Sequence, residues 1–86
     1  MTAEEIVAKS NEFFVEEFEV DAALIIPTED MRKTLGLDSL DFVDLVVLIE
    51  SNFGFKVVPE DFTNIITFQD YYDYVLAGVN KLNEVN

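Results

Sequence analysis

Ile6, Ser10, Phe13, Phe14 and Phe18 recur at the spacing that places them on one face of a helix. Thr2 followed by Glu5 is the capping-box signature of a helix start, so the pattern predicts a first helix over residues 3–18. Its other face carries Glu4, Glu5, Glu12, Glu16 and Glu17 with Lys9, and reads as a solvated acidic surface without an active role. The periodicity then lapses over residues 19–38, a connection longer than ordinary loops and therefore functional or anchored by its own side chains. Leu24, Ile25, Ile26, Met31, Leu35 and Leu37 are the expected anchors. Pro27 opposes helix around it, and a short helical turn over residues 28–33 with Thr28 as N-cap is the expected local structure.

Helical spacing resumes after Asp38. Phe42, Leu45, Val46, Ile49 and Phe53 form a broad core stripe. Leu40, Val43 and Val47 do not fit on it. They make a second strip on the side near Ser39, flanked by Asp44 and Glu50, so this helix is either buried on two sides or docks a partner. A chain this short builds little core, which favours docking. Gly54 is a natural C-cap, and residues 56–58 are extended but too few for a sheet. Pro59, followed by Glu60 and Asp61, opens a short third helix over residues 59–64. A fourth is expected over residues 67–82, with Thr67 capped against Asp70 and Ile66 stapled to Tyr71, and the last four residues are expected to fray. The fold class is all-α: a small four-helix bundle of three longer helices and one short third helix, with a long ordered loop between the first two. Residues 1–86 read as one domain with its core over about 2–82.

Composition narrows the chemistry. Eighteen acids against five bases give a net charge of −13. That charge opposes nucleic acid and anionic membranes and favours protein partners with basic docking patches. Tyr71, Tyr72 and Tyr74 are accordingly core residues with polar tips at the surface rather than a base-stacking platform. With no cysteine and no histidine the chain lacks a thiolate nucleophile, the usual general base and the commonest zinc ligand. Any thiol chemistry is imported. No signal peptide or membrane-length apolar run is present, so a cytoplasmic monomer without membrane insertion is expected.

The stretch Leu35-Gly36-Leu37-Asp38-Ser39-Leu40-Asp41 concentrates the remaining signals. Gly36 relieves the backbone at a turn, Asp38 is an N-cap, and Asp41 is an acid in the first turn that follows. Ser39 is thereby exposed among unpaired N–H groups at the positive end of a helix dipole, a setting that suits a phosphate ester. An isolated Asp-Ser-Leu would be only a capped helix start. Here its spacing to Glu50, Phe53, Pro59-Glu60-Asp61, Ile65 and Thr67-Phe68-Gln69, with the length and acidity of the chain, resembles the acyl carrier protein family over about residues 2–79.

The resemblance implies a carrier, not an enzyme. A separate phosphopantetheinyl transferase would esterify Ser39, beside Asp38, with the 4'-phosphopantetheine arm of coenzyme A, whose thiol then holds acyl groups as thioesters. Acyl-transfer and ketosynthase-type enzymes would dock on Leu40, Val43 and Val47, steered by Asp38, Asp41, Asp44 and Glu50. Phe42, Val46, Ile65, Phe68 and Tyr71 would line the acyl pocket, since the family's chain can slip between the second and fourth helices. The family usually has a small residue where Tyr71 stands, which points to a short, rigid or unsaturated chain. It usually has an aromatic residue at Met31; it commonly has acids in place of Arg32, Lys33 and Thr34, a departure that bears on partner choice near Ser39, and further acids where Ser51 and Asn52 follow Glu50, a departure that points to a narrower set of partners. The Leu37-Asp38 pair argues against a peptidyl carrier and leaves a discrete fatty-acid or polyketide type, in a specialised rather than a housekeeping pathway. A D-alanyl carrier is a more distant alternative, and an acidic interaction module without a prosthetic group is another. A metal buffer built on Asp38, Asp41 and Asp44 would need alternate-position ligands and a central glycine, whereas Leu40 and Phe42 occupy those places.

Overall fold

A computed structural model describes residues 2–84, with side chains through residue 82. Helix α1 spans Ala3–Phe18, α2 Met31–Leu35, α3 Ser39–Phe53 and α4 Phe68–Glu84, with 3-10 turns at Ala22–Leu24 and Pro59–Asn64. The all-α bundle expected from the periodicity is the observed architecture, and α1 and α3 both pack against α4. The core joins Ile6, Phe13 and Phe14 of α1, Leu45, Ile49 and Phe53 of α3, and Phe68, Tyr71, Tyr72, Val75 and Val79 of α4.

The helix boundaries follow from caps. The Thr2 hydroxyl accepts from Glu5 N–H and the Glu5 carboxylate accepts from Thr2 N–H, which closes the start of α1. At the start of α4, the Thr67 hydroxyl accepts from Asp70 N–H, while Asp70 Oδ2 accepts from both Thr67 and Ile66 N–H. Gly54 ends α3 at a φ of 77°, the left-handed conformation that glycine adopts without a Cβ penalty. Lys9 Nζ donates to the carbonyl of Asn52 in the last turn of α3, so this cation of α1 sits on the negative end of a neighbouring helix dipole. Helix α4 runs two residues beyond the expected end at 82, through Glu84. The rest of the expected fraying falls on residues 85–86, outside the described residues.

The connection from α1 to α3 is ordered by backbone pairing that no side-chain pattern announces. Met31 N–H donates to Ile66 O, Phe68 N–H to Glu29 O and Gln69 N–H to Pro27 O. Three hydrogen bonds thus fasten the connection to the start of α4, and Asp30 and Thr67 pair there as an isolated antiparallel bridge. The helix inside it differs from the expected one. Glu29 N–H closes a turn onto Ile26 O, which puts Pro27 and Thr28 at the turn's two central positions, and Asp30 rather than Thr28 caps the helix by accepting from Lys33 N–H. The anchors also differ. Ile25, Met31 and Leu35 are buried as expected, but Leu24 and Ile26 are exposed, and Val20 is buried instead. Ile66 is exposed, so the expected staple to Tyr71 contributes little, and Ile66 serves through its backbone.

Tyr71 is fully buried, with its hydroxyl 2.9 Å from the Ser10 hydroxyl, so its polar tip lies in the core and not at the surface. Tyr72 donates to Asn11 Oδ1, and Tyr74 Oη accepts from Val58 N–H. Gly78 on α4 faces the Phe55 ring so closely that a Cβ there would stand 2.6 Å from its carbons. Only glycine lets that ring close over the helix.

Candidate functional site

The site begins with a turn. Helix α2 ends at Gly36 with φ 66°, and the Arg32 carbonyl accepts from both Gly36 and Leu37 N–H. The chain reverses within two residues and enters α3 at Ser39. Asp38 Oδ1 accepts from Asp41 N–H at 2.9 Å, and Asp41 Oδ2 accepts from Asp38 N–H at 3.3 Å, a reciprocal capping box. The box satisfies the third amide of the helix and leaves those of Ser39 and Leu40, which have no acceptor within a helix at these positions. Ser39 is exposed and its hydroxyl makes no hydrogen bond in the fold. A nucleophilic oxygen thus stands in solvent beside two uncommitted N–H donors and the positive end of a fifteen-residue helix. Nothing in the chain's interior has to move for a phosphoryl group to join it.

Beside Ser39 the second apolar strip of α3 is open. Leu40 is 75%, Val43 61% and Val47 55% exposed, which resolves the choice between double burial and a free face. The acids around it are unequal. Asp38 and Asp41 cap the helix, and Glu50 Oε2 accepts from Val57 N–H at 3.0 Å, which holds the segment after Gly54 against α3. Asp44 alone of the four makes no hydrogen bond in the fold. All four carry charge, but three are also structural.

The five residues expected to line an acyl pocket do not share one space. Phe42 and Val46 line a shallow apolar groove of about 230 Å³ with Val43, Pro59, Phe62, Thr63 and Arg32. Ile65 borders a separate cleft with Asp61, Asn64, Asp70, Asp73 and Tyr74. Phe68 and Tyr71 are fully buried, with ring centroids 5.7 and 5.2 Å from that of Phe14. Between α3 and α4 the interior is filled with rings. Phe42 meets Phe62 edge-on at 5.7 Å, and Phe62 lies 5.7 Å from Tyr74. Two larger clefts, about 550 Å³ between α1 and α4 and about 440 Å³ around Phe55 and Gly78, have no residue of α3 in their walls.

Arg32 belongs to this groove, although from sequence it stood only among the departures that bear on partner choice. Its guanidinium carbon lies 4.9 Å from the centroid of the Phe42 ring, and Nη2 donates to the Phe62 carbonyl at 2.8 Å. The signal that could have found it was the pairing of an arginine with an aromatic residue across a glycine turn, which becomes legible only once the turn is known to be tight.

Comparison with known proteins bears on the same residues. The sequence profile described as "Phosphopantetheine attachment site" matches residues 12–75. The "Acyl carrier protein" of Rubrobacter xylanophilus is 34% identical over 76 residues, 88% of this chain and 94% of that protein. "Acyl carrier protein 2" of Ralstonia nicotianae is 34% identical over 82 residues, 95% and 96% of the two chains. The "Acyl carrier protein" of Helicobacter pylori is 37% identical over 60 residues, 70% and 77% of the two chains.

Proposed function

This chain belongs to the acyl carrier protein family, and from that premise we propose that Ser39 is the residue that carries its 4'-phosphopantetheine. The observation that carries the assignment is the exposed, unbonded Ser39 hydroxyl at the mouth of a capped fifteen-residue helix. The group supplies a thiol at the end of a flexible arm, and that thiol holds the acyl cargo as a thioester. The chain's own residues do the rest. Gly36 and the capping box fix the approach to Ser39, and the amides of Ser39 and Leu40 offer donors to a phosphodiester. During attachment Ser39 Oγ bonds to the phosphorus that joins the arm to the nucleotide of coenzyme A. The nucleotide leaves as the bisphosphate, and the Ser39 proton passes to a base of the transferase, since this chain has no histidine or cysteine and Asp38 is engaged in its cap.

Leu40, Val43 and Val47 form the face on which the transferase and acyl-handling enzymes dock, and the acids around them steer basic surfaces toward it. Ketosynthase-type enzymes of fatty-acid or polyketide-type chain building are the expected users, in a specialised pathway. The ring-filled interior supports a compact cargo: Phe68 and Tyr71 are fully buried against Phe14 of α1, and the groove at Phe42 and Val46 has about 230 Å³. A buried cavity of about 150 Å³ admits benzene, so this groove suits a single ring or a chain of a few carbons.

Peptide mapping after reaction with coenzyme A and a broad-specificity transferase tests the residue. The arm is expected on the peptide that contains Ser39, and an arm on Ser10, Ser51 or a threonine would overturn the assignment.

A further inference from the structure

The groove beside Ser39 holds one cation with no acid to answer it. Its wall contains no carboxylate. The Thr63 hydroxyl is already engaged, donating to the Glu60 carbonyl at 2.9 Å. That leaves the Arg32 guanidinium as the groove's polar group, with a single bond to the Phe62 carbonyl and four further N–H donors. Among the described residues Arg32 has no carboxylate partner, in a chain where acids outnumber bases eighteen to five. Its position is nonetheless fixed. The guanidinium lies on the face of Phe42, and the arginine's own carbonyl caps α2 at the turn that leads to Ser39. An arginine held by an aromatic face and a carbonyl is pre-organised to bind a planar anion in two-pronged fashion.

We infer that Arg32 is a specificity-determining residue for the cargo: the groove takes the last few carbons of an acyl chain whose far end is a carboxylate, which pairs with Arg32 while the terminal methylenes lie on Phe42, Val43 and Phe62. The inference rests on Ser39 as the attachment site, since an arm on Ser39 begins one helical turn from Phe42. Charge complementarity at this one point opposes the field of the whole molecule. A net charge of −13 would otherwise drive a carboxylate-ended chain off the surface and leave a methyl-ended chain better shielded. The two orders of protection are opposite.

The test loads the chain, by transferase, with octanoyl or suberoyl arms from the corresponding coenzyme A thioesters, the second being the same chain ended in a carboxylate. Intact mass first establishes a single acylated arm; if none is added, the attachment reading has failed and not this one. The rate at which hydroxylamine cleaves each thioester then reads its shielding. Cleavage of the suberoyl form is expected to be about two- to fivefold slower than that of the octanoyl form, the scale of a partly exposed ion pair. Arg32→Met, which keeps an apolar stem over Phe42, and Arg32→Gln are both expected to abolish or reverse that order and to leave loading intact. Equal cleavage of the two forms in the unsubstituted chain, or a preference that survives both substitutions, would overturn the inference.

Discussion

At the scale of single residues, the four acids around the open strip of α3 divide into three that hold the fold together and one, Asp44, that does not. Asp38, Asp41 and Glu50 accept backbone N–H groups, so replacing them disturbs α3 or the segment after it as well as the surface. Asp44 has no such duty. Asp44→Lys is therefore the cleanest probe of docking: transferase loading at low salt is expected to slow roughly three- to tenfold, to converge with the unsubstituted chain as salt rises, and to leave thermal stability within about 0.5 kcal/mol. An unchanged loading rate at low salt would remove Asp44 from the docking surface. Tyr71 is the opposite kind of residue. Burial, only partly offset by its bond to Ser10, pushes its phenol far above the usual tyrosine range. A group raised in the folded state stabilises fully below its unfolded value and loses that contribution as pH climbs from there toward the folded one. Stability should therefore fall as pH rises above about 10. Tyr71→Phe should flatten that fall, though not abolish it, because burial also raises Tyr72 and Tyr74. It should also lower stability at neutral pH by about 1 kcal/mol, through the Ser10 hydroxyl left behind. Chemical denaturation across pH checks both signs.

At the scale of elements, what the sequence made legible and what it hid divide along one line. Local signals were enough for α1, α3 and the start of α4, because Thr2 and Glu5, Asp38 and Asp41, Thr67 and Asp70 write their caps within four residues. The open strip at Leu40, Val43 and Val47 was equally readable, since residues that fit no core stripe have few other places to go. The connection between α1 and α3 was not, because its order comes from backbone bonds to residues 66–69, far away in sequence. Gly78 was missed for a similar reason: nothing local marks a helical glycine as the seat of the Phe55 ring. The five acyl-pocket candidates fall in separate places, because periodicity shows which residues face inward but not whether they leave space. The Phe62 ring bridges Phe42 of α3 to Tyr74 of α4, while Phe68 and Tyr71 pack on Phe14 of α1. A consequence can be measured. With a palmitoyl arm, the amide signals of α4 around Tyr71 and Val75 should match those of the arm without cargo, while the residues around Phe42 and Val46 shift. Burial of the whole chain beneath α3, with large shifts throughout the α4 core, would contradict the compact-cargo reading.

At the scale of the molecule, the charge of −13 and the apolar strip beside Ser39 are the features on which the proposed brief, steered encounters rest. On the proposed reading Ser39 is the attachment serine, held in solvent, and with neither cysteine nor histidine in the chain proton transfer falls to its partners. The measurement that tests this account most directly is the intact mass of the chain before and after reaction with coenzyme A and a broad-specificity transferase, beside Ser39→Ala. One phosphopantetheine added to the unsubstituted chain and none to the variant is the expected result. No addition to either, under conditions that convert a known carrier completely, would contradict it and leave the exposed strip of α3 as the working surface of an interaction module.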